Sequence, residues 1–155
     1  HRGGDMTAQE VAAKYPEAAA IVGLAESVWN GSKQAARADF ALSDRLKVEL
    51  RGLLDKDVQN IFITDSDARH IKKQHGQGEA PWGQADITPA DFAFIPFVMN
   101  EFDSAELVDA DNRGNRRILF TKRVNGNVYS VSVERGNSQI GVITLWKNAR
   151  SGASC

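Results

Sequence analysis

Arg117-Ile-Leu-Phe-Thr-Lys-Arg-Val-Asn-Gly-Asn-Val-Tyr-Ser-Val-Ser-Val-Glu134-Arg-Gly-Asn-Ser-Gln-Ile-Gly-Val-Ile-Thr-Leu-Trp-Lys147 is the stretch whose reading decides the fold. It divides into three β-prone segments, 117–124, 127–134 and 139–147, with a turn signal at each break. Asn125-Gly126 is the strongest hairpin signal available, because a type I′ turn needs positive φ at both central positions. Gly136-Asn137 is a second candidate two-residue turn. These turns set an expected register in which Ile118, Val133 and Ile140 form one row and Phe120, Val131 and Val142 a second. Lys122, Tyr129 and Thr144 form a third on the same face, with Trp146 one step further on. Arg117, Thr121, Arg123, Ser130, Ser132 and Glu134 fall on the opposite face, with Leu119, Ile143 and Leu145 among them; that face either meets solvent or itself faces substrate. A slip of one residue in either turn would break the third row.

Upstream, the pattern is helical. Thr7 and Glu10 fit a capping box, and Pro16 suits a first helical turn. Ile21, Val22, Ala25, Val28 and Trp29 recur at helical spacing, and Asn30-Gly31 offers a stop. Ser43 is a candidate N-cap for a helix bearing Leu46, Leu50, Leu53 and Leu54. Val58 to Ile63 is β-prone. Asp65 or Ser66 is then placed to cap a helix through His75, with Gly76 ending it. Gln77 to Gln84 reads as a loop, and Thr88-Pro89 starts a last helix. Helices first and strands afterwards predict an α+β fold, with N-terminal helices packed on a sheet of about four antiparallel strands.

The 155 residues suit one domain, and 42% hydrophobic against 25% charged residues excludes global disorder. A single cysteine, Cys155, excludes an internal disulfide and a cysteine-based zinc site. No apolar run approaches the ~20 residues of a membrane span, and no signal segment opens the sequence. His1 in place of Met leads us to expect a piece of a larger polypeptide, or added residues. The net charge of -1 hides an asymmetry: residues 1–111 carry 11 Lys/Arg against 19 Asp/Glu, whereas 112–155 carry 8 against Glu134 alone. A block this basic is a candidate surface for an anion or a nucleic acid. The plainer reading is a solvated sheet face balanced by an acidic helical half.

Among the side chains that carry chemistry, Lys122 offers positive charge to a developing phosphorane, Thr144 and Tyr129 offer hydroxyls, and Trp146 offers a plane on which a base can stack. The alternative is a sheet edge at which Lys122 reaches water. His70 and His75 are the only histidines besides His1. Five residues apart, they stand about 140° apart around a helix, which does not suit paired zinc ligands. Acid–base chemistry fits imidazoles better, provided that His75 turns back toward the site at Gly76. Lys72 and Lys73 add charge suited to phosphate.

The block Asp67-Ala-Arg-His70-Ile-Lys-Lys-Gln-His75-Gly76, the start Thr88-Pro-Ala-Asp91-Phe92 and the ending Ile143-Thr144-Leu145-Trp146-Lys147 together resemble the phage and polymorphic-toxin nucleases of the barnase–EndoU–colicin–RelE-like superfamily. The resemblance covers about residues 40–147. It leaves residues 1–35 as a helical extension or linker, with 36–155 as the nuclease domain. It implies helices on a four-stranded antiparallel sheet and a ribonuclease that needs no metal or other cofactor. By resemblance, His70 and His75 match the two catalytic histidines, Lys122 the catalytic lysine, and Thr144-x-Trp146 the motif of the last strand. The terminal aromatic is Trp where Tyr is more usual, and the histidine spacing is shorter than in EndoU enzymes.

The expectation is a toxin-type endoribonuclease in which the ribose 2′-OH attacks the neighbouring phosphorus. His70 and His75 serve as acid and base, Lys122 stabilises the phosphorane, and Thr144 positions phosphate or ribose. Tyr129 and Trp146 hold the base, and Lys72, Lys73 and Arg123 contact phosphates. The expected partners are RNA, tRNA among the options, and an immunity protein or antitoxin with an acidic surface; action in the cytoplasm of a target cell after delivery by a larger protein follows. Two other readings stand beside it: an ADP-ribosyltransferase relying on Glu134, and a non-catalytic module that binds RNA or protein.

Overall fold

The computed structural model describes residues 6–76, 78, 84–108, 116–135 and 139–149. Within them the order of elements is α1 (Ala8–Lys14), α2 (Ala18–Trp29), β1 (Arg37–Phe40), α3 (Asp44–Leu54), β2 (Asn60–Thr64), α4 (Asp65–His75), β3 (Gln84–Ala85), a 3₁₀ segment (Pro89–Phe94), α5 (Ile95–Asn100), β4 (Ser104–Val108), β5 (Arg117–Val124), β6 (Asn127–Arg135) and β7 (Gln139–Ala149). The expected Gly136-Asn137 turn, most of the expected 77–84 loop and Cys155 lie outside the described residues.

Local signals explain the helix ends. Thr7 and Glu10 form the reciprocal capping box at α1, and the Ser43 hydroxyl accepts from Leu46 N at 3.1 Å to start α3. The cap of α4 is Thr64 rather than Asp65 or Ser66. Its hydroxyl accepts from Asp67 N at 3.2 Å, while the Asp67 carboxylate accepts from Thr64 N at 3.0 Å. At the end of α2, Gly31 takes φ +92°, with Gly31 N bonded to Val28 O and Ser32 N to Ser27 O. That is a Schellman stop, which folds the chain back on the helix it has just left.

The sheet has the order β1-β2-β7-β6-β5-β4, with β3 also paired to β7. All pairings are antiparallel except β2 with β7. The fold is α+β, but the sheet is mixed and seven-stranded instead of a four-stranded antiparallel one, and helices alternate with its first strands. β1 escapes a pattern search because Arg-Ala-Asp-Phe contains no β-branched residue. It becomes a strand because pairing with β2 satisfies its backbone and turns Ala38 and Phe40 inward.

One hydrophobic core joins the helices to the sheet. Val11, Ile21, Leu24, Ala25 and Val28 pack into the same cluster as Ile61, Ile71, Phe92, Phe120 and Val131. α1 is further fixed by Tyr15, whose hydroxyl donates to Glu101 at 2.5 Å, and by Lys14, which pairs with the same carboxylate at 2.7 Å. Two of the eight cations of the basic third are paired with acids of the first 111 residues: Lys147 bonds Asp91, and Lys122 pairs with Asp103. Ile118, Phe120, Val131, Val133, Ile140, Val142 and Leu145 line the core face.

Candidate active site

The site begins with an irregularity in β7. Asn125 and Gly126 take φ 51° and 82°, and β5 pairs β6 in the register that such a turn dictates, with Lys122 opposite Tyr129 and Ile118 opposite Val133. On the other side of β6, Val133 faces Val142 and Ser132 faces Thr144. Ile143 is therefore the extra residue of a β-bulge. A bulge moves everything beyond it to the other face of the strand. Leu145 turns into the core, and Thr144 and Trp146 turn to the outer face beside Ser132 and Arg117.

The expected rows are thus corrected: Ile140 lies opposite Arg135 instead of Val133, two residues from the expected register, and the bulge adds one more, so Tyr129 lies opposite Lys147 and Thr144 is on the other side of the sheet. Lys122 is buried on the core face, its ammonium 3.4 Å from Asp103 and 5.1 Å from the centre of the Phe97 ring. Tyr129 is buried too, and its hydroxyl donates to Asp91 at 2.5 Å. Burial and the Asp91 charge push its phenol far above the ordinary value. Neither side chain reaches the outer face. Arg123 is exposed near the far end of β5 and does not line the cleft.

The outer face is walled by α4, which packs against β7. Together they enclose an open cleft of about 570 Å³, lined by His70, Gln74, His75, Gln84, Arg117, Ser132, Glu134, Thr144 and Trp146 among others. His70 is exposed, whereas His75 is 8% exposed. They share the cleft although they do not share a helix face, because His75 is the last residue of α4 and the chain leaves abruptly after it. Gly76 permits that exit: a Cβ there would stand 2.5 Å from the Lys72 carbonyl oxygen. The chain then returns as β3, pairing with Lys147 and Asn148, and brings Gln84 against His75.

His75 is held on two sides. Trp146 stacks on its ring at 5.9 Å between centroids, with 26° between the planes. Its Nδ1 lies 2.8 Å from Gln84 Oε1. With that oxygen accepting, Nδ1 carries the proton and Nε2 keeps its lone pair. Burial lowers the His75 pKa below the ordinary imidazole value, and the positive charge of His70 acts in the same direction, against the opposing hydrogen bond to Gln84.

Two further groups complete the arrangement. Thr144 Oγ1 is buried and, among the described residues, has no hydrogen-bond partner. Such a group costs stability unless something else fills its valence. Arg117 Nε lies 3.3 Å from Glu134 Oε2, which places a guanidinium on the cleft wall and ties up the carboxylate on which a transferase reading turns. The sequence places Arg117 and Ser132 on this face but does not mark them as site residues, because the bulge is what brings Thr144 and Trp146 beside them, and Gln84 depends on β3. Lys72 and Lys73 are exposed on the other side of α4, in a separate groove. Among the described residues no group of three His, Cys, Asp or Glu could hold a metal ion, and no helix is long and apolar enough to cross a membrane.

Comparison with known proteins bears on what this cleft does. Residues 41–153 match the phage-Barnase-EndoU-ColicinE5/D-RelE like nuclease family, a span that takes in every residue lining the cleft. No curated protein and no solved structure matches the chain. A match over most of the sequence, centred on a cleft with two imidazoles, an orphan hydroxyl and a guanidinium, shows that the chain belongs to this nuclease family, whose chemistry is phosphodiester cleavage.

Proposed function

We propose that the protein is a metal-independent endoribonuclease that cleaves RNA by attack of the ribose 2′-OH on the adjacent phosphorus. The observation that carries this reading is that His70, His75 and Thr144 line one cleft. His75, kept neutral by burial with its Nδ1 proton given to Gln84, uses Nε2 to take the proton from the 2′-OH. The 2′-oxygen then bonds to phosphorus as the bond to the 5′-oxygen breaks. His70 gives that leaving oxygen its proton. The products are a 2′,3′-cyclic phosphate and a 5′-hydroxyl, and proton transfer in reverse hydrolyses the cyclic ester.

Arg117 takes the part that Lys122 was expected to play, offering positive charge to the phosphorane oxygens from the cleft wall. Thr144 Oγ1 donates to a phosphate oxygen or accepts from ribose, which gives its unpartnered hydroxyl a role. The exposed part of Trp146 beyond His75 offers a stacking surface for a base. A ribonuclease acting in the cytoplasm of a target cell requires a neutralising partner in its producer, and an acidic surface on that partner suits the basic C-terminal third. Association that weakens with salt would bear this out. Incubating the purified protein with total RNA in excess chelator, wild type beside His70→Ala, tests the activity. Cleavage by the wild type and its loss in the variant support the reading, and intact RNA with the wild type refutes it.

A further inference from the structure

On the far side of α4 lies a second groove, of about 620 Å³, between that helix and the end of α2. Its lining includes Trp29, Lys33, Arg69, Lys72 and Lys73 and, among the described residues, no acidic side chain. Arg69 is engaged by Asp65, one turn back on the same helix. The three lysines are exposed and, among the described residues, none makes an ion pair. Lys72 Nζ instead lies 5.8 Å from the centre of the Trp29 ring, and that ring rests edge-on against the buried Phe92.

A helix C-terminus attracts cations, which accounts for Lys72 and Lys73 in the last turn of α4. It does not account for Lys33. That residue reaches the groove because the Schellman turn at Gly31 folds the chain back after α2. Three ammonium-bearing side chains that line one groove, with no ion pair among the described residues, repel one another, and a polyanion in the groove would relieve that repulsion.

We propose that this groove is a second nucleic-acid subsite, in which Lys33, Lys72 and Lys73 bind phosphates of the single strand running on from the His70/His75 cleft. The proposal rests on the ribonuclease reading of that cleft. α4 is the partition between the two: its residues 70 and 74 face the cleft, and 69, 72 and 73 face the groove. A helix with its side chains is about 10–12 Å across, so a strand passing over α4 needs only a short run of nucleotides to connect them. Point charges and an indole carry no base code, so the subsite adds affinity without sequence preference. Lys33 and Trp29 lie before residue 41, outside the family match, so α2 and the segment after it extend substrate binding beyond the matched nuclease region.

The test is binding of non-cleavable 2′-O-methyl RNA at two lengths, about four and about twelve nucleotides, to the full chain over a range of salt. Lys33→Gln and the double variant Lys33→Gln/Lys73→Gln are compared with wild type; both side chains replaced are exposed, and circular dichroism checks that the fold is kept. The expected result is a loss of affinity for the longer strand of about tenfold in the double variant. The slope of log K against log salt should fall by about 0.7 per lysine removed, with a much smaller change for the shorter strand. Equal affinity and slope in variant and wild type overturn the subsite and leave the cleavage reading intact. Equal losses at both lengths also overturn it, since the lysines would then act at the cleavage cleft. If these variants lose instead a protein partner while binding RNA as before, the groove is a protein interface and the proposal fails. A wild type that binds neither length overturns the ribonuclease reading as well.

Discussion

Trp146 and His75 come from distant parts of the sequence and stack with 5.9 Å between ring centroids and 26° between their planes. The contact exists because Ile143 is an extra residue in β7, which turns the indole out of the core side and toward the end of α4. Stacking covers one face of the imidazole and Gln84 fixes one of its nitrogens, so the other nitrogen is the part of the ring left for chemistry. The proposed roles of His75, Thr144 and Arg117 all depend on this bulge.

Removing either imidazole should lower kcat by about 10²–10⁴-fold, the usual contribution of a positioned acid or base. The pH profile separates the two residues. The acidic limb of kcat/KM should lie below the ordinary imidazole value of about 6.5, because burial and His70 hold the His75 pKa down. In the residual activity of His70→Ala, that limb should move to higher pH, as one of the lowering influences is gone. A limb that stays in place would detach His70 from His75.

Stability should fall on the acid side for the same reason. The folded pKa of His75 is lowered, so the unfolded chain binds the proton more readily. The resulting stability is fully present above the unfolded value of about 6.5 and is lost as pH falls from there toward the folded value. Denaturant unfolding at about pH 7.5 and pH 5.5 should show a smaller difference in His75→Gln than in wild type.

Thr144→Val should separate stability from activity. It removes a buried hydroxyl that has no partner among the described residues, which should leave stability unchanged or raise it by about 1 kcal/mol. Activity should nonetheless fall by about tenfold or more, read as kcat on a defined oligonucleotide. A variant with full activity would show that the hydroxyl does not touch substrate.

Arg117→Gln against Lys122→Gln asks which cation serves the reaction. Arg117 lines the cleft, and its loss should cost about 10²–10³ in kcat. Lys122 lies on the opposite face against Phe97 and Asp103, so its replacement should act on Tm rather than on kcat. The reverse pattern would restore Lys122 to the site.

Gly76→Ala should impair both fold and site. Its Cβ would meet the Lys72 carbonyl at 2.5 Å, and backbone has to shift to relieve that contact. A loss of about 1–3 kcal/mol is expected, together with reduced activity, because His75 is the neighbouring residue.

The hairpin was legible because two residues determine it: Asn125 and Gly126 adopt positive φ, and the register across β5 and β6 follows. The helix caps at Thr7 and Ser43 were legible for the same reason, since each is a local bargain between a side chain and a nearby N–H. The bulge was not. Nothing in Val142-Ile143-Thr144-Leu145 marks which of the four is extra; that is decided by which side chains the core can hold and by β2 and β3 pairing on the other edge of β7. His70, His75, Thr144 and Trp146 therefore share a cleft, while Lys122 and Tyr129 fall on the wrong side of the sheet. β1 was missed because its strand character comes from its partner rather than from its own residues.

The most direct measurement is single-turnover cleavage, in excess chelator, of one oligonucleotide in two forms: all-ribose, and with a single 2′-deoxy substitution at the nucleotide whose 2′-OH would attack. Attack by the 2′-OH predicts a 2′,3′-cyclic phosphate on the all-ribose product and no cleavage at the substituted position. An undiminished rate on the deoxy-substituted strand would contradict it.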